Sequence, residues 1–331
     1  MPRSQKNAKL TCLVISDGRR GIENQALGLA EAVARLCPLE ISKLSIEAGE
    51  IFKALPPKIQ NKLKSTPEDY GITSLPNIAI GCGRQAVAPL LALKKAAGET
   101  VFTVYIQDPR IDPKHFDLVI APQHDCLTGA NVQTMIGSPN RITTERLTAA
   151  VKLFSKRLAQ LPKPRIAVLI GGTSKTHKLT RQIHRDHMQA ICALAEQGMS
   201  VMLTTSRRTP DWAVEDYQKL NADRNTVWVW DGVDDNPYFA FLGAADAVLV
   251  TQDSTNMLTE ASASGKPVFT LPMAGKSGKF ESLYASLENR CHVIPFKGSI
   301  KANKYVPLNE TARMAVILLQ HLGENQEKPF L

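Results

Sequence analysis

The chain has 331 residues, of which 44% are apolar and 21% charged, and a formal net charge of +9. Its length exceeds what one hydrophobic core normally organises, which predicts two domains of about 150 residues each, and its balance is that of a folded rather than a disordered protein. No apolar run approaches the roughly 18 residues of a membrane-spanning helix, so a transmembrane protein is excluded.

The positive charge is uneven: residues 1–160 carry 21 Lys and Arg against 14 Asp and Glu, and residues 161–331 carry 19 against 17. The first half is therefore expected to meet an anionic partner. Met1 to Leu10 is basic and polar, and the apolar Cys12 to Ile15 behind it is too short for a signal-peptide core, which predicts a cytoplasmic protein. Six cysteines without a Cys-x-x-Cys pair read as free thiols of a reducing compartment.

Short apolar runs, then glycine-rich or polar turns, then helical patterns recur along the chain, as in alternating strand–helix units around a parallel sheet. Strands are predicted at residues 11–16, 39–44, 77–81, 101–106 and 117–121, with helices at 23–36 and 84–97. A proline-bracketed stretch, Leu161-Pro162-Lys163-Pro164, marks the expected boundary, giving domains at 1–160 and 161–306. The second series of strands is predicted at 165–170, 201–205, 227–230, 247–250, 268–271 and 292–295, and a helix over 308–322 is expected to pack back across the junction. The fold class expected is α/β, two doubly wound Rossmann-like domains facing each other across a cleft, with ligands beyond the carboxyl ends of the strands.

The most specific chemical signal is Ala245 to Pro272, where a strand ends, Thr251, Asp253, Ser254, Thr255 and Asn256 form a turn, and a helix begins. The free amides and positive end of such a helix suit phosphate oxygens. Glu260, nearly two turns along, can accept hydrogen bonds from ribose hydroxyls. A second turn, Gly171-Gly172-Thr173-Ser174, follows the first strand of the second half, where glycines let backbone amides approach a diphosphate. Ser206-Arg207-Arg208 adds cations after the next strand.

This stretch resembles the donor-binding segment of GT-B glycosyltransferases such as the enzyme that adds N-acetylglucosamine to lipid-linked peptidoglycan precursors. The resemblance places Thr251, Ser254, Thr255, Asn256 and Met257 around the donor diphosphate and Glu260 on the ribose. It also places Gly171, Gly172, Thr173 and Ser174 at the phosphates, and Trp230, Asn236 and Tyr238 around the base. Nearly the whole chain is similar to the family of plant mitochondrial-fission factors named for elongated mitochondria and their bacterial homologues. The motifs that carry this are Asp17-Gly18 with Gly21 and Asn24-Gln25, Gln107 with Pro109-Arg110, Pro122 with His124-Asp125, Gly171-Gly172, Ser206 to Pro210, Trp230-Asp231-Gly232, Asn236-Pro237 and Thr251 to Pro267. Gly21, Asn24 and Arg207 join the nucleotide-sugar set on this resemblance.

Where the peptidoglycan enzyme has a candidate basic histidine, this chain has Ile22, so Asp17, His124 and Asp125 are the candidate acid–base residues. The loop at Ser16 to Gln25 lacks Gly-x-Gly-x-x-Gly spacing, which excludes a nicotinamide dehydrogenase. There is no Asp-x-Asp pair, and His184 and His187 have no evident third ligand, so no metal is expected. No cofactor is expected beyond a nucleotide-sugar used as donor substrate.

Residues 51–64 interleave apolar side chains with four lysines, and Phe52, Lys53, Lys58 and Lys62 are expected at an anionic membrane surface. No nucleic-acid module accompanies the charge, so no nucleic-acid partner is expected. The chain is thus read as a glycosyltransferase moving a sugar, UDP-linked as the resemblance implies, to a lipid-linked or glycan acceptor on the inner face of the cytoplasmic membrane. The alternative is a non-catalytic GT-B-fold adaptor or scaffold at a membrane, as the plant role implies.

Overall fold

The computed structural model describes residues 9–46, 55, 59, 66–223, 225–301 and 304–326. They form two compact units, Met1–Arg141 with Asn309–Leu331, and Ile142–Leu308. The expected membrane residues Phe52, Lys53, Lys58 and Lys62 lie outside the described residues. Among the described residues, no helix is long and apolar enough to cross a membrane.

Unit 1 contains β1 (Leu10–Ser16), α1 (Arg20–Ala34), β2 (Leu39–Ser45), β3 (Ile78–Cys82), α2 (Val87–Ala97), β4 (Phe102–Ile106), β5 (Leu118–Pro122) and β6 (Val132–Met135). The strands form one parallel sheet in the order β2-β1-β3-β4-β5-β6. Strands β3, β4 and β5 read as near-continuous apolar runs because both faces are covered. One face packs with Ala26, Leu29 and Val33 of α1, the other with Val87, Leu90 and Leu93 of α2.

Unit 2 opens with α3 (Thr144–Leu153) and α4 (Ser155–Leu158), followed by β7 (Arg165–Ile170), β8 (His177–Lys178), α5 (Arg181–Glu196), β9 (Ser200–Thr205), α6 (Asp211–Asp223), β10 (Val227–Val229) and α7 (Tyr238–Ala244). It continues through β11 (Ala247–Thr251), α8 (Thr255–Ala263), β12 (Val268–Leu271), β13 (Ala274–Gly275), α9 (Glu281–Cys291) and β14 (Ile294–Pro295). Its parallel sheet runs β10-β9-β7-β11-β12-β14, and β8 pairs with β13 in a separate antiparallel ribbon. The expected architecture of two doubly wound units is therefore present. The short edge strand β6 and the ribbon were not expected.

The units part at Arg141 and Ile142 rather than at residue 160. Helix α3 lies along α7, where a Cβ on Gly243 would come within 2.8 Å of Val151, and Phe154 tilts onto Trp228. Both contacts bind residues before the proline stretch to the second sheet. The last helix, α10 (Glu310–Gln326), belongs to unit 1, where Met314, Ala315 and Leu318 join the core beside α1. Gly28 of α1 allows that packing corner to close, since a Cβ there would lie 2.4 Å from the Asn140 carbonyl oxygen.

Candidate functional site

In a doubly wound sheet, loops diverge where the strand order reverses, and that crevice at the carboxyl ends receives ligands. In unit 2 the reversal falls between β7 and β11. The two segments singled out in the sequence, Gly171 to Ser174 and Thr251 to Asn256, follow these two strands. The fold therefore brings together segments about 80 residues apart in the chain.

Their hydrogen bonds are directed inward. The Gly171 N–H donates to Thr251 Oγ1 at 2.7 Å, and the Gly172 N–H donates to Asp253 Oδ2 at 2.9 Å. The Thr173 N–H bonds the Arg208 carbonyl at 3.2 Å and the Ser174 N–H the His177 carbonyl at 2.8 Å. The Asp253 carboxylate, with no solvent exposure, also accepts from Arg208 Nη2 at 2.7 Å. Both glycines are required by close approach: a Cβ would sit 2.1 Å from Asp253 Oδ1 at Gly171 and 1.9 Å from the Arg208 carbonyl oxygen at Gly172. Thr251 and Asp253, expected against a diphosphate, tie strand ends together through Thr251 Oγ1 and Asp253 Oδ2, while Asp253 Oδ1 is buried without a hydrogen-bond partner among the described residues. Arg208, not Arg207, makes the charged contact.

Helix α8 is capped by Ser254, whose Oγ accepts from the Met257 N–H at 3.4 Å. The first-turn residues Thr255, Asn256 and Met257 are partly exposed at that end. Glu260 lies six residues from the cap, about 9 Å along the axis. Its Oε2 accepts from the Tyr238 hydroxyl at 2.5 Å, so the expected ribose residue and the expected base-pocket residue meet. Burial pushes the Glu260 carboxyl up to about 7, opposed by the Tyr238 hydrogen bond, and pushes the Tyr238 hydroxyl upward. Asn236 Oδ1 accepts from the Tyr238 N–H at 2.9 Å, and the Trp230 indole donates to the Asp234 carbonyl at 3.2 Å. Asn236 and Trp230 thus shape the loop that presents Tyr238.

Three participants were not singled out in the sequence as ligand residues. His177 is buried beside Asp253, with Nδ1 3.0 Å from Thr176 Oγ1 and Nε2 3.5 Å from the Tyr284 hydroxyl. Burial lowers its pKa below the ordinary value, with Asp253 opposing and Arg208 adding to the fall. Tyr284 donates to the Gln252 carbonyl at 2.8 Å, anchoring α9 to the loop after β11. Lys178 lies next to His177 on the ribbon. None of these stands in a spaced motif; the ribbon alone assembles them. His184 and His187 instead belong to the packed interior, with His184 Nε2 3.2 Å from Asp216 and His187 Nε2 2.8 Å from the Pro272 carbonyl.

In unit 1 the reversal lies between β1 and β3. Asp17, after β1, pairs with Arg19 Nη2 at 2.6 Å and is the acid at that switch point. Gly83, after β3, is pressed against it, since a Cβ would meet Ile22 at 2.9 Å and Asp17 Oδ2 at 3.7 Å. Gly21 accepts from Gln25 Nε2 at 3.1 Å, and Asn24 Oδ1 accepts from Arg141 at 3.4 Å. His124 and Asp125 follow β5, with His124 Nε2 4.0 Å from Asp125 Oδ1, too long for a hydrogen bond. Strand β5 is three positions from β1, about 14 Å at normal strand spacing. The candidate acid–base residues therefore do not form one cluster.

The family model described as Mitochondrial fission ELM1 matches residues 20–322. Mitochondrial fission protein ELM1 of Arabidopsis thaliana is 28% identical over 305 residues, 84% of this chain and 70% of that protein. Among solved structures, UDP-GlcNAc 2-epimerase of Methanocaldococcus jannaschii, in complex with UDP-GlcNAc and UDP, superposes with a TM-score of 0.55 at 11% identity, covering 94% of this chain and 99% of that one. MurG of Acinetobacter baumannii superposes with a TM-score of 0.51 at 14% identity, covering 97% and 100%. These likenesses identify the fold as GT-B.

Proposed function

This chain belongs to the Mitochondrial fission ELM1 family and has a glycosyltransferase-like GT-B fold, and from that premise we propose that unit 2 binds a nucleotide-sugar. The observation that carries this reading is the meeting of Glu260 and Tyr238 behind a capped helix end at the switch point. A phosphate group near the first turn of α8 would leave Glu260 within reach of a ribose, and a base beside Tyr238 and Trp230. The Methanocaldococcus relative in fold is a UDP and UDP-GlcNAc complex, which supports a UDP-linked ligand.

The reaction proposed is metal-independent sugar transfer to a lipid-linked or glycan acceptor. Arg208 and the positive end of α8 would stabilise the departing diphosphate. Asp17 or the His124–Asp125 loop would supply the acceptor's base. The excess charge of the first half and the apolar–basic residues 51–64 support work at the anionic inner face of the cytoplasmic membrane. A second reading, a non-catalytic adaptor at a membrane, is supported by the fission role in the Arabidopsis relative's name and by Asp253 already occupying the Gly172 amide.

Titration of the purified chain with UDP, ADP, GDP and TDP, and then their sugars, tests the binding reading. At least one is expected to bind and raise the melting midpoint. Glu260→Ala should weaken that ligand roughly ten- to a hundredfold without unfolding the chain. Binding by none of them would overturn the proposal, and binding without donor hydrolysis or transfer would favour the adaptor.

A further inference from the structure

Gln107 opens the loop after β4 with φ +89°, and Arg110, three residues on, has φ +59°. Backbone of this kind strains any side chain larger than glycine's hydrogen. Such strain is retained where the side chain itself is needed.

What holds the Gln107 side chain is a run of amides with a single polarity. The Gly21 carbonyl can only accept, so the Gln25 atom 3.1 Å from it is the amide nitrogen. The Gln25 oxygen therefore faces Gln107 at 3.2 Å and the Cys82 thiol at 3.5 Å, and both donate to it. Gln25 is 2% exposed, which locks this orientation in the interior. Gln107 must then turn its nitrogen inward. Its Oε1 is left as an acceptor with no partner among the described residues, on a half-buried side chain at the end of the sheet.

The surroundings are electrically balanced. Ile15 is level with Gly81, and Gly81 with Tyr105, so the loops that begin at Asp17, Gly83 and Gln107 leave the sheet together. A Cβ on Gly83, the residue after Cys82, would lie 3.7 Å from Asp17 Oδ2. Asp17 pairs with Arg19 and Asp108 with Arg110, and each aspartate also accepts the backbone N–H of its arginine, at 3.2 and 2.8 Å. Both carboxylates are thus compensated, and Gln107 presents an acceptor without net charge. A phosphate or carboxylate oxygen has no hydrogen to give it, whereas a hydroxyl has one.

Resting on the sugar-transfer reading and naming its acceptor group, we propose that unit 1 binds a neutral sugar through a hydroxyl that donates to Gln107 Oε1, at the switch point that Asp17 also occupies. The recognised end of the acceptor is then a glycan hydroxyl rather than a lipid phosphate. Gln25 is a positioning residue, because it fixes which end of the Gln107 amide the sugar meets.

Saturation-transfer NMR of the full chain with N-acetylglucosamine, glucose and galactose tests this. At least one is expected to bind, and Gln107→Gly, which removes the amide from backbone that glycine adopts freely, should weaken it roughly five- to tenfold in a folded chain. Gln107→Asn tolerates the same backbone with an amide one methylene shorter and should show a similar loss. Binding of none of the sugars, unchanged binding in both variants, or displacement of the sugar by inorganic phosphate would overturn the assignment. UDP, titrated separately, tells the two readings apart. Sugar binding lost in the variants but without UDP binding would uphold the Gln107 site and remove the nucleotide-sugar reading, whereas UDP binding with no sugar binding would remove the Gln107 site alone.

Discussion

At the first switch point the charged contact is local, Asp17 with Arg19 two residues on, whereas at the second Asp253 reaches Gly172 and Arg208 across sequence separations of 81 and 45. The first carboxylate is held by its own turn. The second fastens the ends of β7, β9 and β11 to one another. A local pair fixes one loop and leaves its neighbours to adjust, while a long-range set of contacts to one buried carboxylate fixes the mutual placement of three loops before any ligand arrives. The second seat is therefore the pre-organised one.

The largest expected break is steric. Gly172→Ala would place a Cβ against the Arg208 backbone, which cannot give way as a side chain can, and should destabilise unit 2 by about 3 kcal/mol. At the first switch point, Gly83→Ala meets a movable Ile22 methyl and a positive φ, and should cost about 1–2 kcal/mol. Urea midpoints of the two variants compare them; equal shifts would erase the distinction between the seats.

The acids come next. Asp253→Ala leaves the buried Gly172 N–H without its acceptor and should cost about 2 kcal/mol. Asp17→Ala breaks a pair whose arginine is 58% exposed and should cost under about 1 kcal/mol. Matched losses in thermal denaturation would show that the long-range contact adds nothing.

The third effect depends on pH. The Glu260 carboxyl lies at about 7 in the folded chain against an ordinary value of 4.5, so between those values the folded state holds a proton that the unfolded state has lost. Stability should therefore fall as pH rises from about 4.5 to about 7 and then level off. For a partly exposed group the change is on the order of 1–2 kcal/mol, and Glu260→Gln should remove it. Nucleotide affinity should move the other way, rising through about pH 7 as the carboxylate forms and becomes a full acceptor for ribose hydroxyls. Parallel melting and titration series at pH 5.5, 7 and 8.5 read both slopes; a flat wild-type affinity profile would mean that Glu260 does not contact the ligand.

Much of the frame was legible along the chain. Apolar runs bounded by turns located the main strands, because a parallel sheet covered on both faces needs continuous apolar segments. β6 was hidden because Val132–Met135 has only four residues and mixes polar with apolar ones. It is set in place by its neighbour Asn131, whose Nδ2 bonds the carbonyls of Pro113 and Phe116. The unit boundary was hidden for a similar reason: prolines mark where helices stop, but packing of α3 on α7 decides which core they join.

Local pattern alone made the residue types at the strand ends recognisable: two glycines, a capping serine, a glutamate nearly two turns further, and an arginine pair. Tertiary structure decided what those residues face. It turned Thr251 and Asp253 inward onto the glycine amides and selected Arg208 over its neighbour. It also raised His177 from an unremarked stretch into the same corner by pairing it with Gly275. The physical reason is that strand and cap patterns repeat over a few residues, so they can be read locally, whereas hydrogen bonds between loops depend on which strands lie side by side, a relation carried by segments about 80 to 100 residues apart.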